Sequence, residues 1–273
     1  MSHRPRKRFG QNFLHDSAII QQIILCLAPR PGQTLVEIGP GKGALTFPVL
    51  HRLDSLHVIE IDRDLAAMLA NRPGDDRRLI IHNLDVLKLR LADLKLGHSL
   101  RIFGNLPYNI SSPLLFHLFD QIAFIEDMHF MLQQEVVARL AANPGSKAYG
   151  RVSILAQYYC QVERLFGVPA ESFRPAPRVE SAVVRLQGRK QAPYPTGPWP
   201  VFDAILRAAF ANRRKTLANN LKSLADRSLL EAAGVDPGAR AETIAGDRFG
   251  RIAELLAGGQ DAQLHRPPLA DRK

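Results

Sequence analysis

Only two cysteines, Cys26 and Cys160, occur in 273 residues, and no CxxC spacing joins them. That scarcity excludes a disulfide framework and a cysteine-built zinc site, and it reads both as reduced thiols buried in apolar helical segments. Equally missing is any apolar run near the ~20 residues needed to cross a bilayer. The opening MSHRPRKRFGQNFL is basic but has no apolar stretch leading to a small-residue cleavage site, so no secretory signal is read. A cytoplasmic protein that needs neither membrane nor metal is the expectation. No internal repeat is visible. Acidic residues are also in short supply, 26 against 36 Lys and Arg, for a formal charge of +10. Such a balance suggests a polyanionic partner; nucleic acid is the commonest, although an anionic membrane surface would be attracted too.

What is present is enough apolar material, 46% of residues, for an α/β domain and a smaller second one. From about residue 34 short β-type runs alternate with helical patterns, the mark of a mostly parallel sheet wrapped by helices. Strands are predicted at TLVEI (34–38), LHVIEI (56–61), RLIIH (78–82), LRIFG (100–104), DMHFML (127–132), VERLFGV (162–168) and SAVVRL (181–186). Helical stretches such as SPLLFHLFD and EVVARLAA lie between most of them. DSAIIQQIILCLA (16–28) has helical spacing and an Asp or Ser to cap it. Near residue 187 the texture changes, and QGRKQAPYPTGPWP reads as a linker. Only helical patterns follow, among them a helix carrying NRRKTLANNLK. The expected division is an α/β domain over 1–187 with a basic arm at 1–15, a linker at 188–198, and an all-helical domain over 199–273.

The first strand runs into Gly39-Pro40-Gly41-Lys42-Gly43-Ala44. Glycines after an apolar strand let the backbone turn tightly against a ligand, while the next helix offers free N–H groups. The spacing also fits the relaxed dinucleotide fingerprint, and a plain structural turn competes with both. It is not a phosphate-binding P-loop, since Lys42 precedes Gly43 rather than Ser or Thr. Glu60 ends the second strand, where a carboxylate accepts the hydroxyls of an adenosine ribose. Asp85 follows the third, placed to take a hydrogen bond from an adenine amino group. Three contacts to one nucleoside thus gather at the carboxyl edge of a sheet.

The fourth strand leads into Asn105-Leu106-Pro107-Tyr108. An adenine amine is a poor nucleophile because its lone pair is delocalised into the ring. The Asn105 side-chain carbonyl, with the backbone carbonyl of Leu106 or Pro107, can accept both amine N–H bonds and favour a tetrahedral nitrogen. Proline stiffens the loop, and Tyr108 offers a face on which an extruded base stacks. A sulfonium methyl donor is already activated, so positioning and electrostatics carry the catalysis.

At this point the chain resembles the KsgA family of ribosomal RNA adenine dimethyltransferases over most of its length. The likeness begins at Gln11-Asn12-Phe13-Leu14 and passes through VEIGPGKGALT, VIEID, FGNLPYNIS and HFMLQQEVVARL. It continues with SKAYGRVSILAQYY, FRPAPRVESAVVRL and FANRRKTLANNLK. The resemblance implies a class I methyltransferase (Rossmann-like) fold, a mostly parallel seven-stranded sheet with a small all-helical C-terminal domain. It implies S-adenosylmethionine as methyl donor and a pocket lined by Gln11, Asn12, Leu14, Gly39, Gly41, Glu60, Asp85 and Asn105. Asn105, Leu106, Pro107 and Tyr108 would handle the adenine, with Phe173 stacking from the opposite side. The implied substrate is a pair of adjacent adenosines near the 3′ end of small-subunit rRNA in an assembling subunit, methylated by a monomer. Leu84 before Asp85 departs from the smaller or more polar residue usual in the family.

Candidate phosphate contacts are Arg4, Arg6, Lys7 and Arg8, then Lys147 and Arg151 flanking Tyr149, and finally Arg213, Arg214 and Lys215. Each cluster could equally be a solvated surface run. Rival readings are a large-subunit adenine methyltransferase of the macrolide-resistance type, a DNA adenine methyltransferase, a non-catalytic assembly factor and an NAD-linked oxidoreductase. FANRRKTLANNLK and FRPAPRVESAVVRL favour the small-subunit enzyme. The DNA enzymes usually carry an acidic DPPY-type motif, and the oxidoreductase leaves NLPY and the basic charge unexplained.

Overall fold

A computed structural model describes residues 12–72 and 77–258. They form two compact units: residues up to Val137 with Val162–Gly188, and Ala138–Gln161 with the residues from Arg189 onward. The stretch from Ala138 to Gln161, which sequence alone places in the α/β domain, therefore clusters with the C-terminal helices.

The first unit opens with β1 (Phe13–Leu14), α1 (Ser17–Leu27), β2 (Leu35–Ile38), α2 (Thr46–Leu50) and β3 (Leu56–Ile59). It continues with α3 (Arg63–Ala70), β4 (Leu79–His82), β5 (Leu100–Asn105), α4 (Ser111–Phe119) and β6 (Ile125–Gln133). Helix α5 (Gln134–Leu140) runs into the second unit, to which α6 (Arg151–Tyr159) belongs. Then come β7 (Cys160–Val168), β8 (Phe173–Arg174) and β9 (Ser181–Gly188). Among the described residues seven strands form one sheet in the order β4-β3-β2-β5-β6-β9-β7. The pairs from β4 to β6 are parallel, and β9 enters antiparallel to β6. All seven expected strands are there. The two-residue pairing of β1 with β8 was not foreseen.

Asp16 caps α1 by accepting from Ala18 and Ile19 backbone N–H groups at 2.9 and 3.3 Å. The face of α1 bearing Ile23, Ile24 and Leu27 packs on Leu35, Leu56, Val58 and Phe103 of the sheet. Each such aliphatic side chain taken from water contributes about 2 kcal/mol. Cys26 lies off that face and is exposed, which corrects its reading as a buried thiol. Cys160 is buried, as read, but it opens β7 rather than lying inside a helix. Beneath the sheet Arg101 forms a bidentate bond to Asp127 at 2.9 and 3.0 Å and donates to the Leu27 carbonyl at 2.8 Å. These contacts fasten the end of α1 to β5 and β6, because a buried guanidinium needs its donors matched.

The second unit gathers α7 (Trp199–Ala209), α8 (Leu217–Leu221), α9 (Arg227–Ala232) and α10 (Gly246–Leu256). Phe202, Ile205, Leu206, Phe249, Ile252 and Ala253 are buried in it. The stretch read as a linker is built into this unit: Tyr194 packs on Tyr158 with centroids 5.4 Å apart, and Thr196 is buried. NRRKTLANNLK is not one helix. Helix α7 stops at Ala209, and the Asn220 amide binds the Ala209 and Asn212 carbonyls at 2.8 and 3.1 Å. Thr216 then starts α8 afresh, so Arg213, Arg214 and Lys215 occupy an exposed turn.

Candidate active site

At the carboxyl ends of β2, β3 and β5 a cavity opens within the first unit. Strand β2 is buried throughout, so Gly39 emerges directly from the core and the chain must reverse at once. Gly41 does so with φ +57°, and a Cβ there would lie 3.2 Å from the Phe13 ring. The Gly41 N–H donates to Glu60 Oε2 at 3.3 Å, while Oε1 accepts from the Asp62 N–H at 2.9 Å. Glu60 is thus held rigidly at the end of β3. Burial raises its pKa, and these backbone donors oppose that shift without cancelling it.

Glu37, one strand over, is a cavity residue that sequence reasoning passed over. It is 2% exposed and burial pushes its pKa up to about 8, with Thr46 opposing the shift and Glu60 adding to it. A carboxylate type inside an otherwise apolar strand was the available signal. Asp85 accepts from the Leu87 N–H at 3.0 Å, so it also shapes the Val86–Lys88 turn. The Asn83 amide donates to the Glu60 carbonyl at 2.7 Å and ties the exits of β3 and β4 together. Ile61, 47% exposed, lines the cavity with Leu84, Val86 and Leu87, an apolar surface suited to a planar ring.

Asn105 closes β5. Its Nδ2 donates to the Asn12 carbonyl at 3.0 Å, which leaves Oδ1 as an acceptor. The Pro107 carbonyl already accepts from Ser111 Oγ at 3.0 Å and from the Ile110 N–H at 3.2 Å. The Leu106 carbonyl accepts none among the described residues, so of the two backbone candidates Leu106 is the one with capacity to spare. The Tyr108 hydroxyl shares a 2.6 Å hydrogen bond with Ser181 Oγ at the start of β9, and burial raises the phenol pKa. Ser181 is another participant the sequence did not announce.

Asn12, Leu14, Gly39, Gly41, Glu60, Asp85 and Asn105 through Tyr108 all line this one cavity. Phe173 does not. It pairs with Leu14 across β1 and β8 and is 2% exposed in the core beside α1, outside the cavity lining. Gln11, Arg4, Arg6, Lys7 and Arg8 lie outside the described residues. In the second unit Arg151 is engaged with Asp203 at 2.6 Å, Tyr149 is buried against Phe210, and Arg213 donates to the Lys147 carbonyl. Lys147, Arg214 and Lys215 are exposed.

The cavity fits a nucleoside bearing a cationic tail: carboxylates at its polar end, an apolar wall, and a tight glycine turn where a Cβ on Gly41 would press on the Phe13 ring. Together with β9 inserted between β6 and β7, this is the site of a class I methyltransferase, an enzyme that uses S-adenosylmethionine. The family model for ribosomal RNA adenine dimethylase matches residues 2–258, and the chain belongs to that family. It is 51% identical over 263 residues to the ribosomal RNA small subunit methyltransferase A of Vibrio atlanticus, covering 96% of this chain and 97% of that one. The same-named protein of Klebsiella pneumoniae is 51% identical over 257 residues, 93% of this chain and 94% of that one. Among solved structures, a dimethyladenosine transferase from Plasmodium falciparum superposes with a TM-score of 0.75 at 24% identity, covering 88% of this chain and 95% of its own. The 23S rRNA methyltransferase ErmE does so at 0.70 and 24%, covering 90% of this chain and 100% of its own. These last two likenesses speak for the fold. Among the described residues no helix is long and apolar enough to cross a membrane.

Proposed function

We propose that the protein transfers methyl groups to N6 of two adjacent adenosines in the 3′-terminal hairpin loop of small-subunit rRNA, giving N6,N6-dimethyladenosine during subunit assembly. It acts in the cytoplasm, as a monomer, on the assembling small subunit. The observation that carries the chemistry is the Asn105 amide, whose nitrogen is committed to the Asn12 carbonyl and whose oxygen is left to accept. The half-identical relatives named for the small subunit favour that substrate over large-subunit RNA.

Glu60 would hold the ribose hydroxyls of S-adenosylmethionine and Asp85 the adenine amino group, with Asn12, Leu14 and the Gly39–Gly41 turn around the remainder. Bound there, the sulfonium supplies a methyl group that needs no metal and no covalent nucleophile to activate it. Asn105 Oδ1 and the Leu106 carbonyl each accept one N–H of the target amine and favour a tetrahedral nitrogen. Held so, the nitrogen lone pair would be aimed at the methyl that bound S-adenosylmethionine would supply, and the proton shed by the alkylated amine would pass to water. Tyr108, steadied by Ser181, offers the stacking face. Lys147, Arg213, Arg214 and Lys215, together with Arg4, Arg6, Lys7 and Arg8 of the arm, would meet phosphates, and Arg151 would contribute only by giving up Asp203.

The test is transfer from labelled S-adenosylmethionine to unmodified small subunits and, separately, to large-subunit RNA, with products mapped by mass spectrometry. Dimethyladenosine at neighbouring positions near the small-subunit 3′ end is the expected result. Label confined to large-subunit RNA would overturn the substrate assignment.

A further inference from the structure

The segment from Asn12 to Asp16 touches both halves of the site. Asn12, Phe13 and Leu14 line the cofactor cavity, and the Asn12 carbonyl receives the Asn105 amide. The Phe13 ring rests against the Gly41 turn, with the Lys42 ammonium 4.6 Å from its centroid. At its far end the segment is stitched down. The His15 N–H donates to the Ser172 carbonyl at 3.0 Å, and Ser172 Oγ donates to Asp16 Oδ2 at 3.0 Å. Ser172 is buried and lines no part of the cavity. A primary amide can sit in two orientations half a turn apart, and only one leaves oxygen facing an incoming amine. The acceptor on its nitrogen decides between them.

We infer that the Asn12 carbonyl is a positioning group that sets the Asn105 amide, and that the Asp16–Ser172 hydrogen bond holds it in place. The same stretch of chain that lines the cofactor pocket thereby tunes the acceptor site. This rests on Asn105 receiving the target amine, as proposed above.

The experiment uses the full-length protein and unmodified small subunits. Ser172→Ala should lower kcat about tenfold, since small misplacements of reacting groups are costly. Its affinity for S-adenosylhomocysteine should stay within about threefold, the worth of less than one hydrogen bond. In NMR of asparagine-labelled protein the Asn105 side-chain amide protons, identified by their loss in Asn105→Asp, should exchange faster in Ser172→Ala. Asp16→Asn, whose amide can still pair with the Ser172 hydroxyl, should keep kcat near normal. Unchanged kcat with Asn105 protons still protected in Ser172→Ala would overturn the inference, as would lower kcat that merely tracks a smaller folded fraction. Near-normal turnover by Asn105→Ala would instead remove the reading of Asn105 itself, so the two failures are distinguishable.

Discussion

A side chain at Gly104 would strike the neighbouring strand, because a Cβ there falls 2.3 Å from the carbonyl oxygen of Ile38. Gly104 directly precedes Asn105, and Ile38 directly precedes Gly39, so this approach draws Asn105 to the glycine turn across the cavity. Gly104→Ala must push β5 from β2 at that point. We expect a loss of about 2 kcal/mol in stability, as for other overpacked sites, and a fall in kcat/KM of about 100-fold. Chemical denaturation and transfer assays check the two. Activity retained with stability unchanged would show that the strands tolerate the added methyl.

Glu60→Gln replaces an acceptor with a donor opposite the Gly41 or Asp62 N–H, so one backbone donor is left facing another. An unmatched buried group costs about 1–3 kcal/mol, and the turn loses its tether. Cofactor affinity measured by calorimetry should weaken by about 10- to 100-fold. Equal affinity in the variant would mean that Glu60 serves the turn alone.

His129 gives a pH signature. Burial drives its pKa down to about 4, with Asp127 opposing and Arg101 and Arg185 adding to the shift. In the unfolded chain this imidazole takes up a proton near the ordinary histidine value, while in the folded chain it stays neutral. Stability is therefore lost as pH falls from about 6.5 towards about 4 and levels off below. In His129→Gln this contribution vanishes. Wild type should lose on the order of 3 kcal/mol more than the variant across that window, read from denaturation at each pH. Parallel curves would show that His129 titrates ordinarily.

The turn at 213–215 offers a test that needs no knowledge of the bound geometry. Replacing Arg213, Arg214 and Lys215 by Ala should weaken small-subunit binding and reduce the slope of log affinity against log salt by about 2. Cofactor affinity should hold. An unchanged slope would make this basic run a solvated surface.

The strands of the large sheet were legible as short runs rich in apolar and β-branched residues bounded by turns, and in β2, β5 and β9 near-complete burial enforces that pattern. Asn105, Glu60 and Asp85 were legible for a related reason: polar residues ending such runs stand where this kind of sheet opens to a ligand. The helix expected over NRRKTLANNLK failed because Asn220, eleven residues from Ala209, reaches back to end α7, and no local periodicity carries that bond. Phe173 was assigned by motif, and its burial beside α1 follows from the pairing of β1 with β8, which no local pattern carries.

The order of residues thus determined which segments are strands, where the glycine turn lies, and which polar side chains end those strands, since all of these follow from local patterning and chemical type. Only the tertiary structure decided that Asn12 would orient Asn105, that Ser181 would hold Tyr108, and that Ile38 would forbid a side chain at Gly104. Those partners are 93, 73 and 66 residues apart in the chain, and strand order, which sets their meeting, follows from the packing of the whole sheet rather than from any one segment.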